Sequence, residues 1–347
     1  MKKKAIKSIE EMGEFGLIEH LTKKFSIHQD STLKAVGDDA AVINIGAENQ
    51  VITTDLLMEG VHFDLMYTPL KHLGYKAVMV NISDVYAMNA VPKQITISVA
   101  ISGKFSVEAM EEFYEGVQLA CDEYKVDMVG GDTSASVTGL CISITALGTA
   151  LPKEIVYRSG AQNNNLICVT GDLGAAFMGL KVLEREKKLF EEDASIQPVL
   201  GGYDYVVGRF LKPEPRVDVL LELREKGVVP TSMIDISDGL SSELLHICKQ
   251  SDCGCVIYHD KIPISEETGA VAEEFQMEPL IAALNGGEDY ELLFTVPLSA
   301  YDKVNEIPRV SIIGNITDHK GTAIMMLDEG NAVPLQAQGW NAYGDNQ

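Results

Sequence analysis

Ile95-Thr96-Ile97-Ser98-Val99-Ala100-Ile101 alternates apolar with small or polar residues, and from Ser106 onward the period changes. The period of two puts Ile95, Ile97, Val99 and Ile101 on one face, as in a half-buried strand of an antiparallel or mixed sheet. Beyond it, Val107, Met110, Tyr114, Val117, Cys121 and Tyr124 recur at spacings of three and four. That is the apolar stripe of a helix over 106–124, with Ser106 as its N-cap. On either side of it, 51–55, 140–144, 166–170 and 291–296 read as further strands. A small-residue helix follows Gly171-Asp172-Leu173-Gly174 to about Glu186, and Leu240, Leu244 and Cys248 mark another after Asp238-Gly239. Strands and helices mixed in this way predict an α/β (α+β) chain. Pro152 and the polar stretch 151–165 place a boundary near 150, hence an N-terminal domain at 1–150 and a C-terminal one at 151–347. The segment 187–205, with Gly201-Gly202, reads as a loop or insertion.

The 347 residues are 46% hydrophobic and 23% charged, which suits a globular chain with a sizeable core. Lys plus Arg number 28 and Asp plus Glu 51, so the net charge is −23. Unaided binding to nucleic acid or an anionic membrane is therefore not expected, because both rest on Lys and Arg. A polyanionic ligand would need metal cations to bridge it to such a surface. Met1-Lys2-Lys3-Lys4 runs into Ser8-Ile9-Glu10-Glu11, so no signal-peptide apolar region is expected. No apolar run approaches the ~20 residues of a membrane span. The cysteines at 121, 141, 168, 248, 253 and 255 follow no disulfide or zinc spacing and read as reduced thiols of a cytoplasmic protein.

Aspartates recur at the ends of apolar segments, beside glycine or a hydroxyl residue. They stand in Gly37-Asp38-Asp39-Ala40, Thr53-Thr54-Asp55, Asn81-Ile82-Ser83-Asp84, Gly130-Gly131-Asp132-Thr133 and Ile234-Asp235-Ile236-Ser237-Asp238-Gly239. Strand ends are where open sheets hold ligands, and Mg²⁺ takes carboxylate, phosphate and water oxygens. Converging carboxylates would suit several Mg²⁺ ions on a polyphosphate. Each site alone reads equally as a turn or a helix cap. Adjacent Asp38 and Asp39 repel each other, which a cation would relieve; Asp235 and Asp238 would face one another if helical.

Other residues stay open between two readings. Gly286-Gly287-Glu288-Asp289-Tyr290 is an acidic site or a tight turn. His62 is a ligand contact or a satisfied, partly buried histidine; Arg158 pairs with phosphate or lies solvated on the surface. Tyr114 sits on a packing stripe, and the single tryptophan, Trp340, is a contact or an anchor for the tail. No G-x-x-x-x-G-K-[ST] loop or complete kinase signature set occurs.

In order along the chain, Gly13-Glu14-Phe15, Gly37-Asp38-Asp39-Ala40-Ala41-Val42, Thr53-Thr54-Asp55 with Glu59-Gly60-Val61-His62-Phe63, and Lys76-Ala77 form one set of motifs. It continues with Asn81-Ile82-Ser83-Asp84, Gly130-Gly131-Asp132-Thr133, Arg158-Ser159-Gly160-Ala161, residues 234–240, Gly286-Gly287-Glu288-Asp289-Tyr290 and Gly339-Trp340. The ordered set, from 13 to about 340, resembles the thiamine-monophosphate kinase family. It departs at Gln162-Asn163-Asn164-Asn165, where that family usually has a Pro-Gly-Asp turn, and over 187–205.

The resemblance implies the two-domain fold of aminoimidazole-ribonucleotide synthetase, with an N-terminal mixed-sheet domain forming a homodimer. It implies ATP-dependent phosphorylation of thiamine monophosphate to thiamine diphosphate, with Mg²⁺ as cofactor. By the same resemblance Asp39, Thr53, Thr54, Asp55, Asp84, Asp132, Asp235 and Asp238 hold metal. Tyr114, Gly131, Asp132, Arg158 and Ser237 contact ATP, and His62, Glu288 and Trp340 contact the thiamine phosphate. Whether Asp38 also ligates is left open. The nucleophile is a phosphate oxygen, largely ionised at pH 7 because its second pKa is about 6, so no general base is expected. A selenophosphate-synthetase reading would need a reactive cysteine near the N-terminus, and the first here is Cys121. A non-catalytic metal-binding protein would need neither His62 nor Trp340.

Overall fold

A computed structural model describes residues 13–23 and 26–338. Its N-terminal part comprises α1 (Gly13–Thr22), β1 (Thr32–Lys34), β2 (Ala41–Asn44), β3 (Asn49–Met58), α2 (Leu70–Ala87), β4 (Val91–Ser102), α3 (Val107–Tyr124), β5 (Asp127–Ser136) and β6 (Cys141–Ala150). The strands form one six-stranded sheet in the order β1-β2-β3-β6-β4-β5, antiparallel except for the parallel pair β4–β5. Then follow β7 (Leu166–Thr170), α4 (Ala175–Glu192), α5 (Asp204–Leu211), α6 (Val217–Glu225), β8 (Ser232–Asp235), α7 (Leu240–Ser251) and β9 (Gly254–Tyr258). The chain continues through α8 (Glu266–Glu274), α9 (Pro279–Asn285), β10 (Leu292–Val296), α10 (Tyr301–Asn305), β11 (Val310–Thr317), β12 (Ala323–Met326) and β13 (Ala332–Pro334). These strands make a seven-stranded mixed sheet, β13-β12-β9-β11-β7-β10-β8.

The alternating segment 95–101 lies in β4: Ile95, Ile97 and Val99 are buried while Ser98 is exposed. α3 begins as the period change requires, with the Ser106 hydroxyl accepting from Ala109 N at 3.2 Å. α2 and α3 cross closely because each has a glycine at the contact. A Cβ on Gly74 would lie 2.0 Å from Phe113 O, and one on Gly116 1.9 Å from Lys71 O.

The second sheet is buried on both faces, and strand alternation decides what each face meets. Cys168, Met233, Leu292 and Phe294 join a core shared with Val80, Ile82 and Val85 of α2. Ile167, Val169, Ile234 and Leu293 pack instead with Leu240, Leu244 and Ile247 of α7. Asp235 is two residues from Met233 and so faces the N-terminal half. α2 is thus the wall between the sheets, and nearly all of its length is buried.

Several local expectations change. Asn81, Ser83 and Asp84 lie inside α2 rather than at a strand end, because the helix is buried on nearly every side and shows no single apolar stripe. Gly130-Gly131-Asp132 lies mid-strand in β5 rather than in a turn, and Gly131 lets the strand pass Ile97 O, which a Cβ would approach to 1.9 Å. Asp235 ends β8 and Asp238 precedes α7, so the two do not share a helix. Within 187–205, residues to Glu192 extend α4 and Asp204 opens α5. All six cysteines are free. Among the described residues no helix is long and apolar enough to cross a membrane.

Candidate active site

Three carboxylates from three separate elements meet at the seam between the sheets. Ligand atoms of Asp39, before β2, Asp84, in α2, and Asp235, at the end of β8, lie within 4.8 Å of one another. Each is oriented by a neighbour. Thr53 of β3 donates its hydroxyl to Asp84 Oδ2 at 2.6 Å. Ser83 donates to Asp235 Oδ2 at 2.5 Å. Arg158 donates from Nη2 to Asp39 Oδ1 at 2.7 Å, and its backbone N–H donates to Asp38 Oδ1 at 3.1 Å. Lys34 reaches Asp38 Oδ2 at 3.2 Å. Arg158 is brought in by the linker, because Tyr157 O accepts from Met233 N at 3.0 Å and so pins the linker beside β8. The guanidinium is therefore a largely buried ion-pair partner, not a solvated surface arginine.

The charges here are under strain. Burial drives the Asp39 carboxyl up to about 7; Arg158 opposes this, while Asp235 and Asp38 add to it. Burial, with repulsion from Asp55 and Asp238, raises Asp235 to about 6 against the pull of Ser83 and Arg158. Asp84 is held well above the usual carboxylate range by burial and then by Asp55, Asp235 and Asp39. Asp55 and Asp238 thus belong to the same electrostatic neighbourhood. Asp55 is fixed through its backbone, whose N–H donates to Asn81 Oδ1 at 3.1 Å. Asp238 N donates to Glu243 Oε1 at 3.0 Å, and Glu243 is itself raised by burial and by Asp238. Asp39 Oδ2 is buried with no hydrogen-bond partner. An orphaned anionic oxygen among crowded carboxylates fits a hard divalent cation, whose charge would offset the repulsion.

The Gly286-Gly287-Glu288-Asp289-Tyr290 turn borders this cluster. Glu288 and Tyr290 both have left-handed backbones, with φ of 62° and 51°. Glu288 N donates to Ser237 O at 2.7 Å and Tyr290 N to Ile236 O at 2.9 Å. Behind the turn, Asp289 accepts from Gly174 N at 2.8 Å, capping α4 from a distance in sequence. Glu291 is gripped by Arg216 at 2.7 Å and Arg209 at 2.9 Å. The Glu288 carboxylate is ion-paired with Lys76 of α2. His62, in the bend after β3, accepts at Nδ1 from Met58 N at 3.0 Å.

Other sequence-singled residues stand elsewhere. Thr54 points to the face of β3 opposite Thr53 and donates to Ile144 O at 3.0 Å. Asp132 pairs in register with Ser98 and so shares that open face, whereas Gly131 pairs with Ile97. Tyr114 packs edge-on against Phe113, with ring centroids 5.3 Å apart, and is partly buried. Trp340 lies outside the described residues. The sequence assigns no site role to Ser83, Lys76, Asn81 or Glu243; Asn81 and Ser83 stand in the motif of Asp84 and Lys76 in Lys76-Ala77, and a helical reading of 70–87 would align Lys76 with Ser83 at i, i+7.

Residues 37–150 match the AIR synthase related protein N-terminal domain family and residues 162–326 the corresponding C-terminal domain family. A thiamine-monophosphate kinase of Buchnera aphidicola is 35% identical over 341 residues, covering 96% of this chain and 99% of the relative. That of Aquifex aeolicus is 34% identical over 337 residues, covering 96% and 99%. That of Bacillus subtilis is 30% identical over 341 residues, covering 96% and 100%. A solved structure described as AaThiL complexed with AMPPCP and TMP superposes with a TM-score of 0.81 at 32% identity, covering 97% of this chain and 99% of that one. A structure of the Stenotrophomonas maltophilia thiamine-monophosphate kinase gives a TM-score of 0.72 at 30% identity, covering 91% and 96%. With relatives of this identity matched from end to end, and both halves of its fold matched by the two domain families, the chain belongs to the thiamine-monophosphate kinase family.

Proposed function

We propose that this chain transfers the terminal phosphoryl group of ATP to thiamine monophosphate, giving thiamine diphosphate, with Mg²⁺ held by the carboxylates at the seam. The observation that carries the reading is the meeting of Asp39, Asp84 and Asp235, the first of which has a buried oxygen that lacks a hydrogen-bond partner. Asp55 and Asp238 stand in the same field and complete the ligand set, with Thr53 orienting Asp84. Several Mg²⁺ ions, when bound, neutralise the phosphates and align in-line attack. The chain's own part is to hold carboxylates rigidly where cations are needed. Ser83, Thr53 and Arg158 each occupy one oxygen of one aspartate, leaving fewer ways for it to turn. A phosphate nucleophile is already anionic, and no side chain need act as general base.

Arg158 and Ser237 contribute to the ATP side, and His62, Glu288 and Trp340 to the acceptor. The acceptor's thiazolium is cationic, which suits the Glu288 carboxylate and an aromatic face at Trp340. Thr54 of β3, Tyr114 of α3, and Gly131 and Asp132 of β5 join the nucleotide and metal sites. β5 is an edge strand exposed along its length, with Met128 and Val129 open to solvent. Unpaired edges of this kind invite covering, and a second copy doing so forms a homodimer. The chain works in the cytoplasm. Incubation of the purified chain with ATP, Mg²⁺ and thiamine monophosphate tests the reading: thiamine diphosphate forms, and unphosphorylated thiamine is not phosphorylated at a comparable rate. Equal use of both acceptors would contradict it.

A further inference from the structure

We propose that Lys76 is a positioning residue for the acceptor, setting the place of the Glu288 carboxylate. The inference rests on the reading of Glu288 as an acceptor contact. Lys76 is 2% exposed, in the middle of a buried helix. A buried ammonium is costly unless compensated, and compensation comes from two partners only the C-terminal half provides. One is Glu288, through Oε2; the other is Phe210 of α5, whose ring centroid lies 3.8 Å from Nζ. A lysine needed only for packing would be replaced by an apolar residue at no loss. Here the tip is committed to two specific contacts instead.

The task is visible at Glu288. This residue stands in a left-handed backbone conformation that non-glycine residues seldom adopt, between two glycines and a second left-handed residue. Its side chain leaves the turn toward α2 and remains 28% exposed, half committed to Lys76 and half accessible. Lys76 and Ser83 are seven residues apart on one face of α2. The same face thus holds Glu288 at one end and Asp235 at the other. α2 sets the spacing between the acceptor carboxylate and the metal-binding carboxylates, as an acceptor phosphate meeting a cation cluster requires. Lys76 itself is too buried to touch the acceptor and acts through Glu288.

Steady-state kinetics of Lys76→Met, Lys76→Arg, Glu288→Gln and the Lys76→Met/Glu288→Gln double variant test this, with melting curves for each. Lys76→Met should raise KM for thiamine monophosphate about tenfold, the equivalent of one lost charge-assisted contact, with KM for ATP unchanged within about twofold. Lys76→Arg, which keeps the charge, should recover most of the loss. Because Lys76 acts through Glu288, the double variant should be no worse than Glu288→Gln alone. Multiplied effects in the double variant would overturn the proposal. So would equal rises in both KM values with a lower melting temperature, which would make Lys76 a buttress of the fold. An unchanged KM in Lys76→Met with a raised one in Glu288→Gln would overturn it while leaving Glu288 an acceptor contact. If Glu288→Gln alone leaves KM unchanged, the reading of Glu288 fails first and the proposal falls with it.

Discussion

Ser83 donates its hydroxyl to Asp235 at 2.5 Å, and in doing so joins a helix packed on the first sheet to the last residue of a strand in the second. The bond crosses the seam where the candidate metal ligands meet. It gives Asp235, buried and raised to about 6, one of its few stabilising contacts. Asp235→Asn keeps the shape and removes the charge; kcat should fall roughly 10²-fold or more, the scale of losing a preorganised electrostatic group. Asp55→Asn should behave alike. Ser83→Ala should cost about tenfold, as one charge-assisted hydrogen bond does. Turnover by all three variants within about twofold of the parent would reduce these residues to turns and packing.

Mg²⁺ should stabilise the protein more as pH rises. Asp39 and Asp235 titrate at about 7 and about 6 in the folded chain, against 3.8 for the ordinary carboxyl. Raised folded values mean the native state holds protons more tightly than the unfolded one. Their contribution to metal-free stability is full below about pH 4 and is lost as pH climbs through 6 and 7. A cation that replaces those protons restores it, and competes best where they have left. Melting curves in chelator and in Mg²⁺ from pH 5 to pH 8 should diverge progressively. A constant gap would contradict metal binding at these groups.

Arg158→Met should separate the two tasks set for that arginine. The Asp39 side chain is fully buried and the Arg158 guanidinium is its ion-pair partner, so removing that cation should cost about 3–5 kcal/mol in chelator. Mg²⁺ should return part of that, because it takes the arginine's place as counter-charge. Urea unfolding under both conditions reads the difference. Arg158→Lys should spare most of the stability yet raise KM for ATP, since a lysine lacks the flat fork for phosphate. Unchanged stability in chelator would mean that the ion pair does not exist in solution.

How much of this was legible is clearest at four places. The period change between β4 and α3 lies in the residues themselves, because each element has one face in water. α2 was not legible as a helix: burial on every side removes the periodicity, so Ser83-Asp84 looked like a segment end. The grouping of Asp39, Asp84 and Asp235 depends on pairings across the seam that no local spacing encodes. Their chemistry was legible in residue type, and their company was not. Lys76 stood in the motif Lys76-Ala77 without a role, because a lone lysine in such a run shows no task until its partner, 212 residues away, is placed beside it.

Gly116→Ala should damage fold and activity together. Its Cβ would meet Lys71 O at 1.9 Å, forcing α2 and α3 apart. Overpacking of this kind costs about 1–3 kcal/mol, and a shifted α2 carries Ser83 and Asp84 with it. A melting temperature some 2–10 °C lower is expected, with a reduced kcat. An unchanged melting temperature would mean that the crossing is looser than described.

Phosphoryl transfer to an anionic acceptor, through cations held by the seam carboxylates, is the proposed reaction. Its most direct measurement is thiamine diphosphate formation by the purified chain from ATP and thiamine monophosphate, with Mg²⁺ titrated from excess chelator upward. Activity should be absent in chelator, appear with Mg²⁺, and be lost by roughly 10²-fold or more in Asp235→Asn at the same Mg²⁺. Full activity in excess chelator would contradict the account.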